Sequence, residues 1–228
     1  MDFQHFWAQG DLVSHGVALM LGLLSVLSWA IIGTRLVRQW RLAHSLDGSL
    51  EAFWAAPTLE QAVDVMGEKD ASGVFAGMAR TALHLHTQHV RRLDQGIASG
   101  LSASEMLTRG LRNYMVQAQA RIENGLTFLA SVGSTAPFIG LLGTVWGIYH
   151  ALLGLAGSHQ VVLDQVAGPV GEALIMTAAG LFVAIPAVLA YNALTRANRL
   201  TVAYLDGFAH DLHAYLTTGA RLHLVKAA

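Results

Sequence analysis

Three long stretches of the chain are apolar and uncharged, and segments that contain charge separate them. The stretches cover residues 12–33, 124–163 and 173–195, and none contains Asp, Glu, Lys or Arg. An α-helix needs about 20 such residues to cross a bilayer, so each stretch is long enough. The pattern therefore predicts three transmembrane helices.

The segment before the second stretch carries its own helical signals. Ser102 and Glu105 form a capping box, which marks the start of a helix. Beyond it, apolar residues recur at steps of three and four, the spacing of one helix face; they are Leu107, Leu111, Met115, Ala118, Ile122, Leu126 and Leu129. This stripe predicts a helix that runs without a break into the second span.

The other polar segments also predict helices. Pro57 followed by Thr58 and Gln61 indicates a helix break and a new cap, and residues 67–73 indicate a turn. In the tail, one face carries Leu205, Phe208, Leu212 and Leu216. The predicted fold class is all-α: a polytopic membrane protein with three transmembrane helices, the second and third extended into a cytoplasmic helical bundle.

Charge gives the predicted orientation. Only 13% of residues are charged and 54% are hydrophobic, against about 25% charged in soluble domains. All 14 Lys and Arg lie within 35–121 or 196–226, and basic residues favour the cytoplasmic side.

The leader 1–11 contains no Lys or Arg, unlike the start of a signal peptide. The net charge of −1 predicts no nucleic-acid partner.

These patterns divide the chain into seven predicted segments. They are a periplasmic N-terminus, transmembrane helix 1, a cytoplasmic helical segment, transmembrane helix 2, a periplasmic loop, transmembrane helix 3 and a cytoplasmic tail. Their bounds are 1–11, 12–34, 35–124, 125–156, 157–168, 169–195 and 196–228.

The sequence offers little for enzyme chemistry. The absence of Cys excludes disulfides, thiolate metal sites and cysteine nucleophiles. His84, His86 and His89 could suggest a metal site, but they have no clear fourth ligand, and a polar helix face is the preferred interpretation. No nucleophile–base–acid set stands out. We therefore predict no enzymatic activity, no cofactor and no metal.

Small residues recur every three or four positions in the second and third spans. The two series are Gly133, Pro137, Gly140, Thr144, Gly147 and Ala151, and Ala173, Thr177, Gly180 and Ala184. Such faces permit close helix packing in lipid, where threonines can bond their own i−4 carbonyls. Alternatively, Thr144 and Thr177 could offer hydroxyls to a proton, water or buried acid in a narrow passage. Periodicity alone does not choose between these interpretations.

Glu172 borders the third span on its outer side. A carboxylate at the centre of a bilayer costs about 2.5–3.5 kcal/mol, which favours a functional role, although a residue at the mouth of a span can stay hydrated. Glu172 lies five residues from Thr177, about 140° around an ideal helix, so the two need not share a face.

No acid lies deep within any span. A proton path would therefore form more readily between copies in a closed ring, with a titratable group from a partner.

Two segments resemble the ExbB/TolQ (MotA-related) proton-channel family. Residues 136–148, APFIGLLGTVWGI, look like its second-span motif, and GEAL at 171–174, TA at 177–178, AIPAV at 184–188 and YN at 191–192 look like its third-span motif. The order, the spacing and the three spans also agree. DLV at 11–13 and SWAI at 28–31 in the first span are closer to the ExbB branch than to the TolQ branch.

The resemblance implies a specific proton-driven complex in the bacterial inner membrane. Members form pentamers whose second and third spans line a central pore. An ExbD-type partner places a single span with an essential Asp in that pore, and proton flow drives a TonB-type protein that energises outer-membrane uptake of iron–siderophores and vitamins. By motif position, Thr144 and Thr177 correspond to the pore threonines and Glu172 to the third-span glutamate. The alternatives are a TolQ-type subunit that energises envelope maintenance and a passive scaffold for partner helices.

Overall fold

The computed structural model describes residues 12–94, 102–156 and 164–219, which form six α-helices and no strand. The helices are α1 (Leu12–Ala55), α2 (Leu59–Lys69), α3 (Val74–Asp94), α4 (Ala103–Glu123), α5 (Leu126–Ala156) and α6 (Asp164–Thr218). The chain divides into two compact units. We call Met1–Thr34 with Gly125–Leu194 the membrane unit, and Arg35–Asn124 with Thr195–Ala228 the bundle unit.

Within the described residues, three helical segments are long and apolar enough to cross a bilayer. They are Leu12–Ala55, Ala103–Gly154 and Ala167–Thr218, and each contains one of the charge-free stretches or most of it. The predicted all-α class with three transmembrane helices is therefore confirmed. The membrane-unit parts of α1, α5 and α6 bury a shared apolar core, which includes Leu21, Leu129, Val132, Ala136 and Ala187.

The bundle unit has a separate aromatic-rich core. Phe53, Met66, Phe75 and Leu212 are almost completely buried there. Phe208 lies between aromatic neighbours: its ring centroid is 5.1 Å from that of Phe53, edge to face, and 5.9 Å from that of Phe75. Edge-to-face contacts of this kind add about 0.5–1.5 kcal/mol to the burial of the rings.

Both predicted helix caps in the bundle unit are confirmed. The Thr58 side chain accepts a hydrogen bond from the backbone N–H of Gln61 at the start of α2. The Ser102 side chain accepts one from the backbone N–H of Glu105 at the start of α4. These bonds satisfy N–H groups that have no partner within the first turn of a helix.

Three predicted boundaries differ from the structure. The helix predicted to run unbroken into the second span is two helices, because Gly125 has a φ of 86°, which is left-handed. The turn predicted at 67–73 is shorter, since α2 continues to Lys69. The predicted loop 157–168 overlaps the start of α6 at Asp164, and residues 157–163 of that loop lie outside the described residues.

Asp70 organises the start of α3. One carboxylate oxygen accepts hydrogen bonds from the backbone N–H and the hydroxyl of Ser72, and the other accepts bonds from the backbone N–H groups of Phe75 and Ala76. The Tyr114 hydroxyl on α4 donates to the Val74 carbonyl at 2.7 Å, and burial raises the pKa of Tyr114. These bonds give the first turn of α3 its partners and join α3 to α4.

The carboxyl end of α4 is held by side chains from two other helices. Arg35 of α1 donates to the carbonyl oxygens of Arg121 and Ile122, and the buried Asn198 of α6 donates to the same Ile122 carbonyl at 3.3 Å. The last carbonyls of a helix have no hydrogen-bond partner within it, so these donors satisfy oxygens that would otherwise lack one.

Candidate functional site

The α5 and α6 helices approach each other closely where Gly140 faces Gly180. A Cβ atom added to Gly140 would lie 2.5 Å from the Met176 carbonyl oxygen, and one added to Gly180 would lie 2.6 Å from the Ala136 carbonyl oxygen. Both obstacles are backbone atoms, which cannot move aside as a flexible side chain could. The crossing therefore requires glycine on both helices.

Further small residues extend this contact in both directions. Gly133 faces Val188, Gly147 faces Ala173, and Gly143 leaves room for Met176 and for Val17 of α1. The small-residue faces of the second and third spans thus pack against each other within one chain. This confirms the close-packing interpretation as a description of the geometry.

Thr144 lies at this crossing with only 7% of its surface exposed. Its hydroxyl oxygen is 2.8 Å from the Ala173 carbonyl oxygen on α6 and 3.2 Å from the Gly140 carbonyl oxygen on its own helix. It is also 2.5 Å from the Thr177 hydroxyl oxygen. The structure therefore brings the two predicted threonines into direct contact.

A count of hydrogens limits the directions that these bonds can take. A threonine hydroxyl has one hydrogen to donate and two lone pairs that can accept. The shorter carbonyl contact of Thr144 is the one to Ala173. If Thr144 donates there, Thr177 donates to Thr144, and both hydrogens are used.

This arrangement leaves Thr177 as an acceptor. With its hydrogen directed to Thr144, the Thr177 oxygen would have lone pairs available to a donor outside the pair. Thr177 is half-buried, whereas Thr144 is buried, so Thr177 is the more accessible of the two. Nearby residues of α5 and α6, among them Ala136, Met176 and Val183, belong to the apolar core of the membrane unit. A water molecule or a protonated acid could donate to it.

Glu172 is placed at the same end of α6 but not within this pair. It is half-buried and directly precedes Ala173, whose carbonyl receives the Thr144 hydroxyl. Along the helix it lies five residues before Thr177, roughly 7.5 Å along the axis and about 140° around it. Glu172 therefore adjoins the threonine pair by sequence, and the hydroxyl bonds described above do not include it.

The Ala173 carbonyl was not among the predicted site groups. Every residue has such an oxygen, so sequence has no signal for the one that a hydroxyl of another helix will use. The only indication available was that Ala173 belongs to the small-residue face and allows close approach.

The candidate histidines of the bundle unit do not form a metal site in the structure. Within residues 12–94, 102–156 and 164–219, no three His, Asp or Glu side chains are grouped as metal ligands. His84 instead has its Nε2 atom 2.8 Å from the side-chain nitrogen of Gln88, one helical turn further along α3.

Comparison with known proteins places this site in a family. The model of the MotA/TolQ/ExbB proton channel family matches residues 72–206, more than half of the chain, and this range includes Thr144, Glu172 and Thr177.

Curated relatives match over nearly the full length. The chain is 43% identical to the biopolymer transport protein ExbB of Xanthomonas campestris pv. campestris, over 97% of this chain and 91% of the relative. It is 41% identical to ExbB of Neisseria meningitidis, over 95% and 97%. It is 32% identical to the Tol-Pal system protein TolQ of Pseudomonas aeruginosa, over 95% and 94%. The chain belongs to the MotA/TolQ/ExbB proton channel family.

Proposed function

We propose that the protein is the proton-channel subunit of a TonB-type energy-transducing complex in the bacterial inner membrane. In this complex the proton motive force would power outer-membrane uptake of iron–siderophores and vitamins. The observation that supports it most is the Thr144–Thr177 hydroxyl pair, which lies at the crossing of two apolar helices and leaves one oxygen able to accept.

The proposed topology follows from charge. With the basic residues on the cytoplasmic side, the N-terminus and the loop 157–168 would be periplasmic, and the C-terminal tail would be cytoplasmic. The bundle unit, which contains all 14 Lys and Arg, would then lie in the cytoplasm. Glu172 would sit at the periplasmic mouth of the third span, where protons enter from outside.

The threonine pair needs a proton carrier from another chain. No acid lies deep within the three charge-free stretches, so the titratable group would be a carboxyl of an ExbD-type partner span. When protonated, that carboxyl could donate a hydrogen bond to the lone pairs of Thr177. When it loses its proton, this bond is lost, so Thr177 would favour the protonated, neutral state of the partner within the membrane.

The chain would work as a ring around the partner spans. A homo-oligomer, proposed as a pentamer, would enclose the partner helices and present one threonine pair from each copy. One charge that crosses 100 mV releases about 2.3 kcal/mol. Several protons per cycle would be enough to bias a conformational change of a few kcal/mol in a TonB-type protein.

The test is complementation in a strain that lacks its own ExbB, with the chain co-expressed with its ExbD-type partner. We expect growth on siderophore-bound iron with the wild type and with Thr135→Val, and loss of growth with Thr177→Val. Thr135 is the matched control because it is exposed on α5 and bonds within its helix, to the Ser131 carbonyl. Normal growth of the Thr177→Val strain would overturn the proton role of this hydroxyl.

A TolQ-type role is the second candidate, because the chain also aligns with a TolQ over 95% of its length. Expression of the chain in a strain that lacks TolQ separates the two roles. Rescue of detergent resistance, without rescue of iron uptake in the first strain, would favour envelope maintenance.

A passive scaffold is the third candidate, and the satisfied hydroxyl of Thr144 favours it, since the bond to Ala173 by itself joins the helices. In that case Thr177→Val would retain both partner binding and iron uptake. Retained partner binding with lost uptake would instead support a proton role.

A further inference from the structure

The apolar outer face of α1 continues past the end of the first charge-free stretch. Leu36, Val37 and Trp40 are 49%, 51% and 63% exposed, and they follow the first arginine of the helix, Arg35. We call these three residues the interfacial face. On a helical wheel they share the side that carries the exposed Val26 and Trp29.

The arginines around this face point elsewhere or flank it. Arg35 donates to the carbonyls that end α4, and Arg38 donates to the Ser72 carbonyl at 3.4 Å. Arg41 is exposed and follows Trp40 directly. The face is therefore uncharged, with one guanidinium at its edge.

The length of α1 places this face at the boundary of a bilayer. From Leu12 to Trp40 the helix rises roughly 42 Å at 1.5 Å per residue. A bilayer has a hydrocarbon core about 30 Å thick and measures about 40–45 Å with its headgroups. A helix that starts at one headgroup layer therefore reaches the other near Trp40.

We propose that the interfacial face lies in the headgroup layer, with Trp40 as an interfacial anchor and Arg41 beside anionic lipid phosphates. The chemistry fits this layer: tryptophan concentrates at membrane interfaces, and arginine extends its charge toward lipid phosphates while its stem covers apolar surface. Continuity with the lipid-length span favours the bilayer over a second protein copy as the occupant. The membrane contact of the first helix would thus extend two turns beyond its uncharged stretch.

The absence of Cys makes a direct test possible, because any introduced cysteine is the only one in the chain. We would make Trp40→Cys, Val37→Cys, Val26→Cys and Val116→Cys in the full chain. Each variant would be spin-labelled and reconstituted in vesicles of phosphatidylethanolamine and phosphatidylglycerol. Accessibility to oxygen, which enters lipid, and to a water-soluble nickel chelate gives the depth of each label.

Two positions serve as references. Val26 is 68% exposed in the middle of the first span and should give the deepest label. Val116 is 64% exposed on α4, in the same unit as Trp40, and should give a label freely accessible to the nickel chelate. It is the matched control because it too is an exposed apolar residue outside the uncharged stretches.

We expect labels at 37 and 40 to lie between these references, with oxygen favoured over nickel and with 40 shallower than 37. A label at 40 as accessible to nickel as the label at 116 would show that the face lies in water, which would overturn the proposal. A label shielded from both reagents would show that another protein chain covers the face, which would overturn it equally.

Discussion

Thr144 and Thr177 differ in what they can offer once they are bonded to each other. Thr144 is buried, and its hydroxyl oxygen lies 2.8 Å from the Ala173 carbonyl oxygen, so a bond donated there joins the two helices. Thr177 is the more accessible of the two, and with its hydrogen directed to Thr144 its oxygen could still accept a further hydrogen bond. The two residues should therefore have separable effects when they are substituted.

Thr144→Val removes the bond between α5 and α6 while it keeps the shape of the side chain. Interhelical hydrogen bonds in membranes contribute on average about 0.6 kcal/mol and at most about 1.7 kcal/mol. We expect a loss of stability in that range, measured by reversible denaturation in mixed micelles. Thr135→Val, which removes a hydroxyl bonded within its own helix, should change stability less. Equal losses would show that the bond to Ala173 adds nothing.

Glu172→Gln tests a role at the mouth of the span. The substitution keeps the size of a half-buried side chain and removes its charge. If Glu172 delivers protons, energised uptake should fall while recovery of the oligomer and partner by affinity purification stays normal. Loss of the oligomer itself would identify Glu172 as a structural residue and contradict the delivery role.

Asp211 gives a pH-dependent prediction outside the spans. Burial raises the pKa of this carboxyl, and the neighbouring His210 lowers it by a smaller amount. A raised pKa means that the folded state favours the protonated acid, so the residue costs stability progressively as the pH rises from its ordinary pKa through the raised pKa of the folded state. We expect Asp211→Asn to raise the thermal midpoint at neutral pH and to have a smaller effect in mild acid. A gain that is the same at every pH would contradict this origin.

At the residue scale, the sequence indicated which two threonines face the helix contact but not how their hydroxyls meet. The small-residue series identified Thr144 and Thr177 because small side chains at helical spacing indicate a contact face. It did not predict that their hydroxyls meet, or that the Ala173 carbonyl receives one. Those facts depend on the relative rotation of α5 and α6, which no single helix encodes.

Among the helices, the crossing of α5 and α6 depends on the absence of a Cβ atom at Gly140 and at Gly180. Gly180→Ala places a methyl group against the Ala136 carbonyl oxygen. We expect a loss of about 1–3 kcal/mol, the usual cost of overpacking, measured by denaturation in micelles. Gly171→Ala on the same helix should be tolerated, since its Cβ would meet nothing within 4 Å. Equal stability of the two variants would show that the crossing is looser than described.

The last turn of α4 should open more readily without the hydrogen bond that the Asn198 side chain donates to it. Asn198→Ala removes the donor to the Ile122 carbonyl in a buried setting, where an unsatisfied polar group costs about 1–3 kcal/mol. We expect faster hydrogen exchange in the last turn of α4 and a lower thermal midpoint. The exposed neighbour Arg199, changed to Ala, is the control. Unchanged exchange in Asn198→Ala would show that Arg35 suffices as the cap.

The break between α4 and α5 shows the limit of periodicity at this scale. Apolar residues from Leu107 to Leu129 keep helical spacing across Gly125, so the pattern predicts one helix. Gly125 nevertheless adopts a positive φ. Glycine is compatible with both conformations, and the choice is made by contacts such as those of Arg35 and Asn198, which are distant in sequence.

For the whole molecule, the three spans were predictable because charged residues are costly within a bilayer, so a transmembrane segment is recognisable as a long uncharged stretch. Soluble domains rarely contain uncharged stretches of this length, and each stretch here coincides with a helix long and apolar enough to span. The division into two units also follows the charge: the basic residues all lie in the bundle unit. The proton path was less predictable, since the proposed pathway needs several copies and a partner chain.

We propose that Thr177 accepts a hydrogen bond on a proton path, and a measurement of proton flux through the complex checks this role. The chain and its ExbD-type partner would be reconstituted in vesicles with a pH-sensitive dye inside, under an imposed voltage. A buried donor that loses its acceptor costs about 1–3 kcal/mol, or roughly 5- to 150-fold in rate. We predict a loss of that size for Thr177→Val, and near-normal flux for Thr177→Ser and Thr135→Val. Full flux through an intact Thr177→Val complex would show that the Thr177 hydroxyl is not needed on the proton path.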